Sequence, residues 1–213
     1  MLLQSFEGGP AETIGYLIAD DVGGPAVAID APLGTALAMV EQARSWGRPI
    51  AYLLTTHGHW DHVLDNTELL RLTGAKFGIH PDSAKLLAFP QTKLFGLDLP
   101  MPDGKPDLLL AEGQSIVAGK LALRVLECPG HCPGSVALFE PQERVVFTGD
   151  VLFAGSVGRT DLWGGDGELL LRSIREKLLP LGDAVRVYAG HGPTTTIGRE
   201  RERNPFLRGG PSS

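Results

Sequence analysis

Cysteine is scarce in this chain: two among 213 residues, Cys128 and Cys132, both in one CPGHC segment. That count excludes a disulfide-built scaffold. A lone close pair leaves three readings: redox chemistry, metal binding, or two small side chains packed near a site. Long apolar runs are also missing. The longest are of strand length, far short of the ~18 residues of a membrane span, so no membrane partner is expected. The opening MLLQSFEGGPAET lacks a basic stretch followed by an apolar one, so no secretory signal is expected and the expected location is cytoplasmic. A basic excess is absent too: 19 Lys and Arg face 25 Asp and Glu, a formal net charge of −6. A nucleic-acid partner normally asks for a basic field, and none is expected here. There is no GxSxG elbow for a serine nucleophile. No linker and no fixed-period repeat divides the chain. A single domain is expected over 1–207, followed by a tail over 208–213 with little to bury.

What is present is an alternation of short β-rich runs with helical patterns. Strands are expected at 15–20, 26–30 and 48–57, and helices at 35–47 and 66–74, the second with Asn66 as N-cap and Gly74 at its end. KFGIH (76–80) reads as a strand and PDSAKLLAF (81–89) as a short helix entered through Pro81. Residues 90–107 are dense in Pro and Gly without periodicity, either a cover for a site or a surface excursion. Strands follow at 114–119, 120–128, 134–140 and 143–149. Then come an amphipathic helix over 167–182, a strand over 184–190 and a short terminal helix over 197–207.

The chemistry concentrates in histidine. Three of the six histidines, His57, His59 and His62, lie in TTHGHWDH (55–62) with Asp61 among them. Imidazole and carboxylate suit zinc, iron or manganese. Four donors on one tight turn are more than one ion easily takes, so the spacing points to two. Each further candidate also follows an apolar strand. IAYLL precedes His57, LALRVLEC precedes His131, RVVFTG precedes Asp150 and VRVYAG precedes His191. Donors just past neighbouring strand ends can converge on one sheet edge. His80 ends a strand, but a proline follows it and no donor lies nearby, so it reads as structural.

TTHGHWDH, CPGHCPGS, FTGDVLFAGSVGRTDL and YAGHG, in this order over nearly the whole chain, resemble the metallo-β-lactamase superfamily in its glyoxalase II-like branch, in the short single-domain bacterial form. The resemblance implies an α/β fold, an αββα sandwich of two mixed sheets with helices on both outer faces. It implies two divalent metal ions, zinc foremost and iron or manganese as alternatives. His57, His59 and His131 would hold one ion, and Asp61, His62 and His191 the other, with Asp150 bridging. Asp61 would be catalytic together with a metal-bound hydroxide. Members with a cysteine at the bridging position are the true β-lactamases; this chain has Asp150 there, so β-lactamase activity is not expected. Asp30 matches a position that supports the histidine loop from behind; an ordinary turn carboxylate is the other reading. Arg159 falls where glyoxalase II has a lysine touching glutathione. Two positions on, the family tyrosine is Asp161 here, and an Arg159–Asp161 ion pair is the alternative role. The additional helical C-terminal domain of well-defined glyoxalase II enzymes has no counterpart before Ser213.

A dinuclear site that activates hydroxide and polarises a carbonyl suits hydrolysis. A thiolate leaves without much help from an acid, its pKa being roughly 8.5. The expected substrate is therefore a small-molecule thioester such as S-lactoylglutathione. The alternatives within the superfamily are a mononuclear-iron persulfide dioxygenase using His57, His131 and Asp150, a lactonase, and a nuclease, against which the acidic balance argues. A non-catalytic scaffold has no need of seven donors. No apolar helix face or edge strand is assigned to a second copy.

Overall fold

The computed structural model describes residues 1–102 and 105–208. Two mixed six-stranded sheets and their helices make up two compact units. One unit comprises Met1–Leu110 with Ser115–Ala122, and the other Ala111–Gln114 with Leu123–Ser213.

In the first unit the strands are β1 (Leu2–Gly8), β2 (Thr13–Ala19), β3 (Ala26–Ile29), β4 (Ile50–Leu54), β5 (Lys76–Ile79) and β6 (Leu108–Leu109), hydrogen-bonded in that order. β1 to β3 pair antiparallel, and β3 to β6 pair parallel. Parallel strands need crossovers, which α1 (Ala36–Ser45) and α3 (Asn66–Thr73) supply. One core joins Leu17, Ala28, Leu53 and Phe77 to Met39, Val40 and Ala43 of α1 and Leu69 of α3. Alanines at 26, 28, 36 and 43 let helix and sheet approach closely. The alternate residues Ile18, Val27, Ile29 and Leu54 are buried as well. Strands buried on both faces read as continuous apolar runs, which is why these were visible in sequence.

The remaining strands, β7 (Ser115–Ala118), β8 (Leu121–Glu127), β9 (Val136–Glu140), β10 (Val145–Gly149), β13 (Arg186–Ala189) and β14 (Thr195–Thr196), form a sheet ordered β14-β13-β10-β9-β8-β7. Between them β11 (Leu152–Phe153) and β12 (Ser156–Val157) form a small hairpin. In the second unit Val146, Val187 and Ala137 pack on Leu170 of α6 (Gly167–Ser173) and on Ile174 and Leu178 beyond it.

Several elements differ from the sequence expectation. β1 was not expected, because it is a half-exposed edge strand without an apolar run. The helix expected over 167–182 is α6, capped by Asp166, then a π turn over Ile174–Leu178 and a 3-10 turn over Leu179–Leu181. Pro180 lacks the N–H that an α-helix would need there. The N-cap of α3 is Asp65, not Asn66, and Asp65 makes no side-chain cap bond. Its Oδ2 accepts from Ala36 N at 2.9 Å instead. Gly74 ends that helix left-handed, as expected. The terminal helix is two, α7 (Ile197–Arg203) and α8 (Pro205–Arg208). Asn204 between them is extended, with ψ 120°, as a residue before proline prefers. Of the tail expected over 208–213, Arg208 closes α8 and 209–213 lie outside the described residues. The 90–107 segment contains α5 (Gln91–Leu94).

Candidate metal centre

In the first unit the donors follow β4. Thr55 and Thr56 lead into His57, and Trp60–Val63 forms the one-turn helix α2. His57, His59 and His62 are buried. Their imidazoles crowd together, with ring centroids 4.7 Å (His57–His59) and 4.2 Å (His57–His62) apart. Asp30, just past β3, is what shapes this loop. It sits at φ 56°, a conformation few non-glycine residues adopt, and is buried. Its Oδ1 accepts from Thr56 N at 2.8 Å, and its Oδ2 accepts from Thr56 Oγ1 at 2.8 Å and takes His62 Nδ1 at 2.8 Å. Asp30 thus bonds the histidine loop at three points.

Those bonds order the protons. Thr56 gives its only hydroxyl proton to Asp30, so the 3.1 Å contact with His57 Nδ1 has His57 as donor. His57 Nε2 is then an acceptor, facing His59 Nδ1 at 3.1 Å. His62 likewise spends its Nδ1 proton on Asp30, turning an acceptor Nε2 toward Asp61 Oδ2 at 3.6 Å. Asp61 Oδ2 is itself held by Thr13 Oγ1 at 2.7 Å.

Two further contacts set the loop's position. A Cβ on Gly58 would lie 2.2 Å from Ser83 O of α4 (Pro81–Leu86), so only glycine fits between the two donors His57 and His59. Gln91 Nε2 donates to Gly58 O and to Leu86 O, both at 2.8 Å. His80 caps α4, its Nδ1 accepting from Asp82 N at 3.1 Å, the structural role expected for it.

In the second unit three donors come from three separate loops: His131 after β8, Asp150 after β10 and His191 after β13. His131 Nδ1 donates to Arg159 O at 2.8 Å, leaving its Nε2 as acceptor 3.7 Å from Asp150 Oδ2. His191 Nε2 lies 3.5 Å from the same Oδ2. A Cβ on Gly158 would stand 1.9 Å from Asp150 O and 3.1 Å from His131 Nδ1, so this glycine allows the two donors to meet. Buried Glu200 holds the β11–β12 turn, accepting from Gly155 N at 2.7 Å and Thr195 Oγ1 at 2.6 Å, and Asn204 Nδ2 donates to Ser156 O at 2.9 Å. Val157 and Gly158 follow directly.

The carboxylate oxygens of Asp61 and Asp150 and the acceptor nitrogens of His62 and His131, facing each other at 3.6 and 3.7 Å, repel in the absence of a cation. The spacing is too long for a shared proton. It is close to the roughly 3.4 Å between two tetrahedral ligands of a zinc-sized ion. The donor chemistry in each unit thus fits a divalent metal. The second nitrogen of His62 and of His131 is bonded to a carboxylate or a carbonyl, as metal-binding histidines normally are.

Arg159 and Asp161 form the two-pronged ion pair foreseen as one alternative, with bonds of 2.7 and 2.8 Å, both side chains exposed. The guanidinium draws the Asp161 carboxyl down to about 2. Cys128 is a free, buried thiol that burial pushes up to about 12, so it is no nucleophile at neutral pH. Cys132 is a buried thiol in no disulfide, beside Ser135 Oγ at 3.2 Å. Thr13, Gln91, Glu200 and Asn204 were not anticipated. Each acts on a loop at least 33 residues away in sequence or through a turn of its own. No sequence spacing signals such contacts.

No helix among the described residues is long and apolar enough to cross a membrane. The model of the metallo-beta-lactamase superfamily matches residues 16–191. Hydroxyacylglutathione hydrolase GloC of Haemophilus influenzae is 40% identical over 197 residues, covering 90% of this chain and 91% of that protein. The crystal structure of BLEG-1 B3 metallo-beta-lactamase superposes with a TM-score of 0.89 at 37% identity, covering 98% of this chain and 100% of that one. The structure of TTHA1623 in a di-iron-bound form gives 0.85 at 35% identity, covering 96% and 100%. With its donors, its two mixed sheets and these matches, the chain belongs to the metallo-β-lactamase superfamily and is a metallo-hydrolase of it.

Proposed function

We propose that 1–207 act as one functional domain in which both donor sets serve a single dinuclear centre that hydrolyses thioesters such as S-lactoylglutathione. His57, His59 and His131 would hold one ion and Asp61, His62 and His191 the other, with Asp150 available to both. Zinc is the foremost candidate, and the di-iron form of TTHA1623 makes iron the next. The observation that carries this reading is the set of imidazole nitrogens facing carboxylate oxygens at 3.5–3.7 Å. The name of the GloC relative supports the substrate class.

Bound divalent ions supply Lewis acidity and a water-derived nucleophile at neutral pH. The chain's own part is orientation and proton handling. Asp30 sets the tautomer of His62 and, through Thr56, that of His57. The Arg159 carbonyl does the same for His131. Asp61, anchored by Thr13 Oγ1, is the carboxylate that would act beside the water-derived nucleophile. A thiolate departs unaided, its pKa being about 8.5, which suits a site without a dedicated acid. Arg159 contacts an anionic part of the substrate, sharing its charge with Asp161. The activity is proposed to be cytoplasmic.

The test is loss of thioester absorbance with S-lactoylglutathione, wild type against Asp61→Ala at matched metal loading. Turnover that falls at least a hundredfold with loss of one ion supports the reading. Near-normal turnover in the variant sinks the two-metal mechanism. An inactive wild type removes the thioesterase and directs attention to oxygen uptake on glutathione persulfide by the iron-loaded protein. The likeness to a B3 β-lactamase favours β-lactam hydrolysis as a second reading, tested on a chromogenic cephalosporin.

A further inference from the structure

We infer that Ser173 is a positioning residue for His131: its hydroxyl fixes, against α6, the turn that presents this imidazole to a metal ion. The inference rests on the reading of His131 as a metal donor and deepens it. An imidazole is fixed only when both its ring and its backbone are held. The ring is held by the Arg159 carbonyl at Nδ1. The backbone lies in the turn between β8 and β9, which closes on itself as Cys128 N donates to Ser135 O at 2.9 Å. That bond is internal to the turn and does not place it in the second unit.

The placing is done by α6 and its N-cap, at three points. Ser173 Oγ donates to Pro129 O at 2.7 Å. Asp166 N donates to Gly130 O at 2.7 Å. Gly130 itself lies flat on the helix at φ 133°, where an added Cβ would meet Leu170 N at 2.2 Å. Pro129 and Gly130 directly precede His131. Of these three contacts the Ser173 bond is the one made by a side-chain hydroxyl, so a substitution can remove it without altering the backbone.

The helix has no need of that bond for itself. A serine within a helix ordinarily returns its proton to the carbonyl one turn back or faces water. Ser173 is 5% exposed and gives its proton to a carbonyl 44 residues away. It is also the last residue before the backbone widens into the π turn Ile174–Leu178. Such turns are rare and recur at functional sites. Metal donors must be placed to within about 0.5 Å, so a turn released at Pro129 presents His131 Nε2 less well.

The experiment titrates zinc into the metal-free protein in competition with a chromophoric chelator, for the wild type, Ser173→Ala, Ser173→Thr and His131→Ala. Thermal unfolding of each metal-free form is recorded alongside. Ser173→Ala is expected to bind one zinc ion about tenfold more weakly than the wild type. Ser173→Thr, which keeps a hydroxyl, is expected to bind it within about threefold of the wild type. Equal zinc affinities in Ser173→Ala and the wild type overturn the inference, whatever the loss in metal-free Tm, because the hydroxyl then serves only the packing of α6. A loss in Ser173→Thr as large as in Ser173→Ala overturns it too. His131→Ala separates the inference from the reading beneath it. It should lose one ion; if it binds zinc as the wild type does, His131 is no donor and the metal reading fails together with the inference. If Ser173→Ala does not fold, Ser173→Cys, similar in volume and a weak donor, replaces it with the same expected loss.

Discussion

The two units carry their donors differently. In the first, four donors occupy six consecutive residues, and one buried carboxylate, Asp30, disciplines the whole loop. In the second, three donors arrive from three strand ends. There a backbone carbonyl orients His131, a glycine makes room for Asp150, and His191 remains 30% exposed at its side chain. A local cluster can be organised by one residue. A dispersed one depends on backbone geometry, which each loop must get right separately.

The sharpest way to break the contrast is Asp30→Ala. It strips acceptors from Thr56 N, Thr56 Oγ1 and His62 Nδ1 at once. Activity should fall more than a hundredfold and stability by about 2–4 kcal/mol, as several buried donors lose their partner. Metal analysis and thermal unfolding check both. In the second unit the corresponding change is Gly158→Ala, whose Cβ meets Asp150 O at 1.9 Å. Metal content should drop and activity should fall tenfold to a hundredfold, because the backbone around Asp150 must shift. A full metal complement in Gly158→Ala would show that the dispersed donors tolerate movement that the clustered ones do not.

Two aspartates held at about 2 sharpen the comparison further, because the same value arises in different ways. Asp20 is buried and is lowered foremost by the Lys120 N–H, with those of Gly24, Val22 and Gly23 adding to it. A lowered carboxyl stabilises the fold fully above its ordinary value of 3.8, and that contribution is lost as pH falls toward about 2. Asp20→Asn should therefore be less stable than wild type at pH 7, and the gap should close between about pH 4 and 2. Urea unfolding across that range is the measurement, and a gap independent of pH would contradict the assignment. Asp161 lies on the surface with its partner exposed, where ion pairs contribute little. Asp161→Asn should leave the Tm at pH 7 within about 1 °C of wild type. If Arg159 contacts the substrate, the same change should lower KM for an anionic thioester about twofold to threefold; an unchanged KM would take Arg159 out of the binding reading.

Continuous apolar strands such as β2, β4 and β10, and the amphipathic helices α1 and α6, could be located from the chain alone, because burial on one or both faces leaves a periodic trace. β1, β11, β12 and β14 left none, being short or at an edge. The break at Pro180 was written in the sequence but reads as a helix end only once the turn above it is seen to widen. The candidate donors were legible because few roles call for histidine and aspartate at such spacing. The family followed from the same residues.

Asp30 was visible as a candidate with two roles, and its positive φ and three bonds to the loop are visible only in the structure. Arg159 was similarly divided, and the structure supplied the ion pair. Thr13, Gln91, Gly158 and Glu200 carried no signal of their own. The sequence by itself determined the donor inventory, the strand ends that present it and the superfamily, since these depend on residue type and local periodicity. The tertiary structure alone decided which nitrogen of His57, His62 and His131 is committed to the protein and which residues hold the loops. Those choices are made by hydrogen bonds between segments distant in the chain, and no local pattern records them.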